Sequence, residues 1–294
     1  MLTGLGGNDT YIMGAGDTVV EAAGGGTDTV VSGVTHTLSV NVENLTLVGF
    51  SAINGTGNAL DNVLNGLLNL AGNTLSGGAG NDTYMLGSGD QVVEAANGGS
   101  DTVQAGFTYT LGSNVENLTL TGAGAINGTG NALNNVLTGN NANNVLSAAG
   151  GNDTLRGGLG NDTVNGGSGN DTFFFGSGDG QDLIQDNSGS ADKLLFDGGI
   201  NPLDLVISRQ ANDLRLTVHG SSDQITVQNW YVGTVNRTET IQAGNGQTLL
   251  STQVDQLIQA MAGFSAQTGL TWDAALNDPA QVPAVQNILA ASWQ

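Results

Sequence analysis

A nine-residue register runs through the middle of the chain. Leu137, Leu146, Leu155, Val164 and Phe173 recur at every ninth place, each two residues after Asn135, Asn144, Asp153, Asp162 or Asp171. The unit reads GGxGNDTUx, with U apolar. Its Gly-rich six residues predict a turn, because glycine takes positive φ freely and lets backbones approach closely. The remaining three predict a short strand with U pointing inward and its neighbours outward. Turn and strand alternating in this way predict a flattened coil of two parallel sheets, about 18 residues per turn, filled by the U side chains.

A longer period of 73 residues overlies the short one. Gly7–Val30, "GNDTYIMGAGDTVVEAAGGGTDTV", returns as Gly80–Val103, and "NVENLTL" from Asn41 returns at Asn114. Composition fits stacked copies with a thin core: the 294 residues include 48 glycines and only 5% aromatics. Twenty-six acids against five bases give a net charge of −21. That balance argues against nucleic acid and anionic membranes as partners, since both reward Lys and Arg. The absence of cysteine excludes a disulfide framework and a thiolate zinc site.

The acids are placed, not scattered. No Lys or Arg precedes Arg156, whereas twelve Asp and Glu do. In the predicted coil, residues 18 apart stack at the strand spacing of about 4.8 Å. Asp153 then lies over Asp171 on one edge, and Asp162 over Asn144 on the other. Each like-charge contact costs on the order of 1 kcal/mol even in water. Such a ladder calls for a cation. Ca2+ suits it, taking six to eight oxygens from carboxylates and from carbonyls that turns leave unpaired, whereas Mg2+ prefers a tight hydrated octahedron.

The segments Gly77–Met85, Gly157–Asn165 and Gly166–Phe174 resemble the GGxGxDxUx nonapeptide of RTX (repeats-in-toxin) proteins. The resemblance implies a parallel β-roll with Ca2+ in its turns, a secreted bacterial protein, and export by type I secretion machinery through an uncleaved C-terminal signal. It carries the ligand role to Asp82, Asp153, Asp162 and Asp171, and to Asp9 in the degenerate "GLGGNDTYI". The turn residues Gly158, Gly160, Asn161, Gly167, Gly169 and Asn170 belong to the same expected sites. Asn135 and Asn144 depart from the pattern, so rungs that include them are expected to be weak or empty. Asp17, Asp28, Asp90, Asp101, Asp179 and Asp182 are further candidates; those in the long repeats follow spacings of 8 and 11 and leave the nine-residue register.

The fold expected is all-β: residues 1–187 a calcium-binding β-roll, 188–250 a β-rich cap, 251–294 a short helical tail that carries the secretion signal. From Ser188, alternating stretches such as "LRLTVHG" and "DQITVQNWYVG" predict antiparallel strands. Residues 212–230 resemble the haemolysin-type calcium-binding-related segment, and Trp230 and Tyr231 are candidates to plug the open end of the coil. In the tail, Thr252 with Asp255 predicts a helix start, Val254, Leu257, Ile258, Met261 and Ala262 its apolar face, and Gly263 its end. A second helix is expected after Pro283.

No catalytic constellation stands out. His36 and His219 are the only histidines, and there is no nucleophile elbow and no P-loop with its lysine. The chain is expected to be non-enzymatic and to begin within a longer protein. The alternatives are an adhesin or surface-layer segment whose outward face binds a glycan or other surface ligand, motivated by the threonines of "NLTLTG", and the non-catalytic tail of a secreted hydrolase or alginate-modifying enzyme.

Overall fold

The computed structural model describes residues 1–294. They divide into two units, Met1–Val136 and Leu137–Gln294.

In the first unit the chain alternates between two parallel sheets. One runs in the order Thr10–Met13, Thr29–Ser32, Asn44–Gly49, Val63–Asn69, Thr83–Leu86, Thr102–Ala105, Asn117–Leu120. The segments between them supply the other faces, with His36–Thr37, Asn54–Thr56, Thr74–Ser76 and Gln91–Val92 side by side. Inward positions are apolar and fully buried, among them Leu45, Leu64, Leu75, Tyr84 and Val103. The slot is narrow: a Cβ on Gly55 would stand 2.9 Å from Leu45 and 3.0 Å from Leu75. Glycine is therefore required where large leucines face it.

The second unit repeats the scheme. Thr154–Arg156, Thr172–Phe175, Lys193–Phe196 and Thr240–Gln242 pair in parallel, as do Val145–Ser147, Thr163–Asn165, Gln181–Gln185 and Gln224–Val227. Only the outermost strands reverse. Asp213–Val218 and Leu205–Gln210 add antiparallel to one sheet, and Thr248–Leu250 to the other. The expected all-antiparallel 188–250 thus holds for the last strands alone. An alternating pattern reports one buried face, and parallel and antiparallel strands share it. Trp230 is buried, as a plug would be, while Tyr231 is half-buried under Arg209, 4.1 Å from its ring.

Three helices follow: α1 (Ser251–Thr268), α2 (Trp272–Leu276) and α3 (Val282–Ala290). α1 runs through Gly263, which is exposed, because Phe264 continues the buried face of Val254, Leu257 and Met261. It stops at Gly269, whose φ of 73° is left-handed. Its start is bonded by Gln253 Oε1, which accepts the Leu250 N–H at 3.2 Å, rather than by Thr252 and Asp255. No helix is long and apolar enough to cross a membrane.

Candidate metal centre

The turns of the nonapeptides are built by left-handed glycines. Gly158 and Gly160 have φ of 93° and 122°, Gly167 and Gly169 of 93° and 126°. A Cβ on Gly169 would collide with the Gly151 carbonyl, so successive turns lie in backbone contact. The asparagine before each aspartate ties these turns on the outside: Asn161 accepts the Gln181 N–H at 2.9 Å, and Asn170 the Ser190 N–H at 3.1 Å.

Backbone contact places each aspartate beneath the one a coil earlier. The Asp153 N–H donates to Asp171 Oδ1 at 2.8 Å, the Asn144 N–H to Asp162 Oδ1 at 2.6 Å, and the Asp162 N–H to Asp182 Oδ1 at 2.8 Å. In the first unit the Asn62 N–H donates to Asp82 Oδ1 at 2.7 Å and the Asp82 N–H to Asp101 Oδ1 at 2.8 Å. One oxygen of each carboxylate is thereby satisfied. The other is buried without a partner at Asp28, Asp82, Asp101, Asp162, Asp171, Asp186 and Asp192. A buried acceptor in this state costs on the order of 1–3 kcal/mol, and more when charged.

The carboxyl groups respond as buried acids do. Burial, reinforced by the neighbouring Asp101 and Glu94 charges, pushes Asp82 up to about 7. Burial lifts Asp162 to about 6 and Asp182 to about 8, with adjacent carboxylates adding to it. Asp171, Asp101, Asp179 and Glu94 move the same way for the same first reason. Only Asp179 among them has a cation beside it, Arg156, which opposes the rise.

Three sets of acids converge so that their oxygens lie within 4.8 Å of one another: Asp9, Glu21 and Asp28; Asp82, Glu94 and Asp101; Asp171, Asp186 and Asp192. All the donors are hard oxygens, the set that Ca2+ takes and that softer metals do not require. Orphaned oxygens, converging carboxylates and glycine turns in backbone contact therefore fit Ca2+.

The remaining candidates are placed differently. Asp17, Asp90 and Asp179 each close a local turn, accepting the N–H of Gly14 at 3.0 Å, Gly87 at 2.8 Å and Gly176 at 2.6 Å. Asp90 also accepts from the Asn73 backbone and side chain, both at 2.8 Å. None of the three joins a cluster. Sequence reading passed over Glu21, Glu94, Asp186 and Asp192. The first two carried a signal, for they stand 73 residues apart in phase with the long repeat.

At asparagine rungs the protein supplies its own donors. Asn58 Nδ2 donates to the carbonyls of Ser39 and Val42, both at 2.7 Å, and Asn62 Nδ2 to that of Glu43 at 3.1 Å. Asn131 and Asn135 repeat this on Gly112, Val115 and Glu116.

Comparison with known proteins adds two family matches. The RTX calcium-binding nonapeptide repeat matches in four copies, at residues 72–90, 129–164 and 149–182. The haemolysin-type calcium binding protein related domain matches residues 213–251. The endo-1,3-1,4-beta-glycanase ExsH of Rhizobium meliloti (strain 1021) is 43% identical over 65 residues, a stretch covering 22% of this chain and 14% of that protein.

Proposed function

From the premise that this chain carries RTX calcium-binding repeats and their related domain, we propose that it is a module folded by Ca2+ after export. Residues 251–294 are its type I secretion signal, and the chain is the C-terminal part of a larger secreted protein. In a calcium-poor cytosol, crowded carboxylates keep the chain loose and threadable. Outside the cell, sites of about 10⁻⁴–10⁻³ M fill, and ion binding adds to folding free energy by mass action.

One observation carries this reading: the row of buried carboxylate oxygens without a partner, in a chain with 26 acids and five bases. Asp9, Asp82, Asp153, Asp162, Asp171, Asp28, Asp101 and Asp182 are the ligands we assign, with carbonyls of the glycine turns completing the set. Circular dichroism during a Ca2+ titration tests it. Sheet signal should rise cooperatively from a largely unfolded chelator baseline. A full sheet spectrum in chelator that calcium leaves unchanged would refute the proposal.

What the module is attached to is a second matter. The stretch similar to ExsH favours the reading that this chain is the non-catalytic tail of a secreted glycan-degrading enzyme. The tail itself is assigned no catalytic role.

A further inference from the structure

The three carboxylate clusters extend the aspartate rung of the nonapeptides by a middle acid and a closing glutamate. In each, the N–H of the first acid donates to Oδ1 of the third: Asp9 to Asp28 at 2.8 Å, Asp82 to Asp101 at 2.8 Å, Asp171 to Asp192 at 2.6 Å. The N–H of the third acid then donates to a glutamate that opens the next strand of the same sheet. These bonds run from Asp28 to Glu43 at 2.8 Å, from Asp101 to Glu116 at 2.9 Å, and from Asp192 to Glu239 at 2.8 Å. In all three the Oδ2 of the third acid is buried and unpartnered. A middle acid, Glu21, Glu94 or Asp186, reaches the cluster from a segment outside the nine-residue register.

The link between third acid and closing glutamate differs in length. It spans 15 residues in the first two copies and 47 in the third. The longer link holds the hairpin Leu205–Gln210/Asp213–Val218 and the strand Gln224–Val227. After each closing glutamate the coil resumes, as Asn44–Leu47 beside Thr29–Ser32, Asn117–Leu120 beside Thr102–Ala105, and Thr240–Gln242 beside Lys193–Leu195. The cap therefore lies within the longer link of the third cluster.

We propose that these clusters are three copies of one divalent-cation site, each made by adding a middle acid from outside the register to a stacked aspartate rung, and that the third copy fastens the cap. It rests on the calcium reading above and adds to it the middle acids and the coupling. Asp192 opens the last coil strand before the cap, Lys193–Phe196, and Glu239 opens the strand that pairs with it afterwards, so one ion beside Asp192 holds both ends of the excursion. Fully ionised, three carboxylates converging on one point carry charge −3, which a divalent oxygen-seeking ion neutralises in large part.

Native mass spectrometry of the full chain, saturated with Ca2+, counts the ions. Glu21→Gln, Glu94→Gln and Asp186→Asn should each remove one, and Asp186→Asn should in addition expose residues 197–239 to protease while the coil keeps its sheet spectrum. Folded variants with the wild-type count and wild-type protection overturn the inference while leaving the calcium-folding reading intact; a wild-type chain that binds no Ca2+ overturns both. Where a variant fails to fold, Tb3+ emission excited through tyrosine gives a second measurement. The Tyr84 hydroxyl accepts the Gly77 N–H at 2.6 Å, a donor shared with Glu94 at 3.1 Å, and the Tyr11 hydroxyl bonds Glu21. Tyr11→Phe with Tyr84→Phe should lower the calcium-displaceable emission at least twofold, and unchanged emission overturns the inference.

Discussion

At the scale of the residue, the same substitution should act with opposite sign at two glycines. A Cβ on Gly166 would fall onto the Asp171 side chain, 2.6 Å from its Cγ and 2.9 Å from its Cβ, so that carboxylate has to turn away. Gly166→Ala therefore displaces the orphaned Asp171 Oδ2. Overpacking of this kind costs about 1–3 kcal/mol, and a urea melt at saturating Ca2+ should show a loss of that size. Gly263 lies inside α1, exposed, with nothing near a Cβ. There Gly263→Ala removes freedom from the unfolded chain and should add about 0.5–1 kcal/mol. An equal response at both positions would mean that the Gly166 cradle is not a built feature. What decides the sign is the neighbour.

At the scale of the element, rungs come in two kinds. An aspartate rung leaves an oxygen that asks for a cation. An asparagine rung carries donor and acceptor on one amide and closes itself, as Asn62 does by donating to the Glu43 carbonyl while accepting the Asn58 N–H at 2.7 Å. Asn62→Ala should cost about 1–3 kcal/mol, the price of stranding buried acceptors, and urea melts should give the same loss at two calcium concentrations. A loss that shrinks as calcium rises would place a metal at this rung after all. Much of this was legible in the sequence, because a fixed period with one inward position dictates both the coil and its stacked edge. Glu21 and Glu94 were harder to see, since a cluster formed by an out-of-register excursion has no local spacing to betray it. Asp186 and Asp192 were hidden further because they fall on neither the nine-residue nor the 73-residue period. The direction of the cap strands was not written in their alternation, and the end of α1 lay with Phe264, whose burial outweighs the weak helix preference of Gly263.

At the scale of the whole molecule, protons and calcium should compete for the same oxygens and yet both favour the fold. Asp82, Asp162 and Asp182 are raised from 3.8 to about 7, 6 and 8, first by burial and then by one another's neighbours. Asp186 and Asp192 rise as a pair for the same reason. A folded-state pKa above the unfolded one means that the metal-free fold binds protons the unfolded chain gives up. Its contribution to stability is complete below about 4 and is lost as the pH rises through about 6 to 8. In chelator, the sheet signal should therefore strengthen on acidification from pH of about 8.5 to about 5. In calcium the order reverses for affinity, because each ion must displace protons, so the Ca2+ midpoint should climb as the pH falls through the same window. Circular dichroism read along both axes tests the pair of statements together. A chelator signal flat with pH would mean that the buried carboxylates do not oppose folding. A calcium midpoint independent of pH would mean that the ions bind elsewhere. The prediction stands only if the proton and the ion reach the same orphaned oxygens, which is what their burial in a chain of net charge −21 requires.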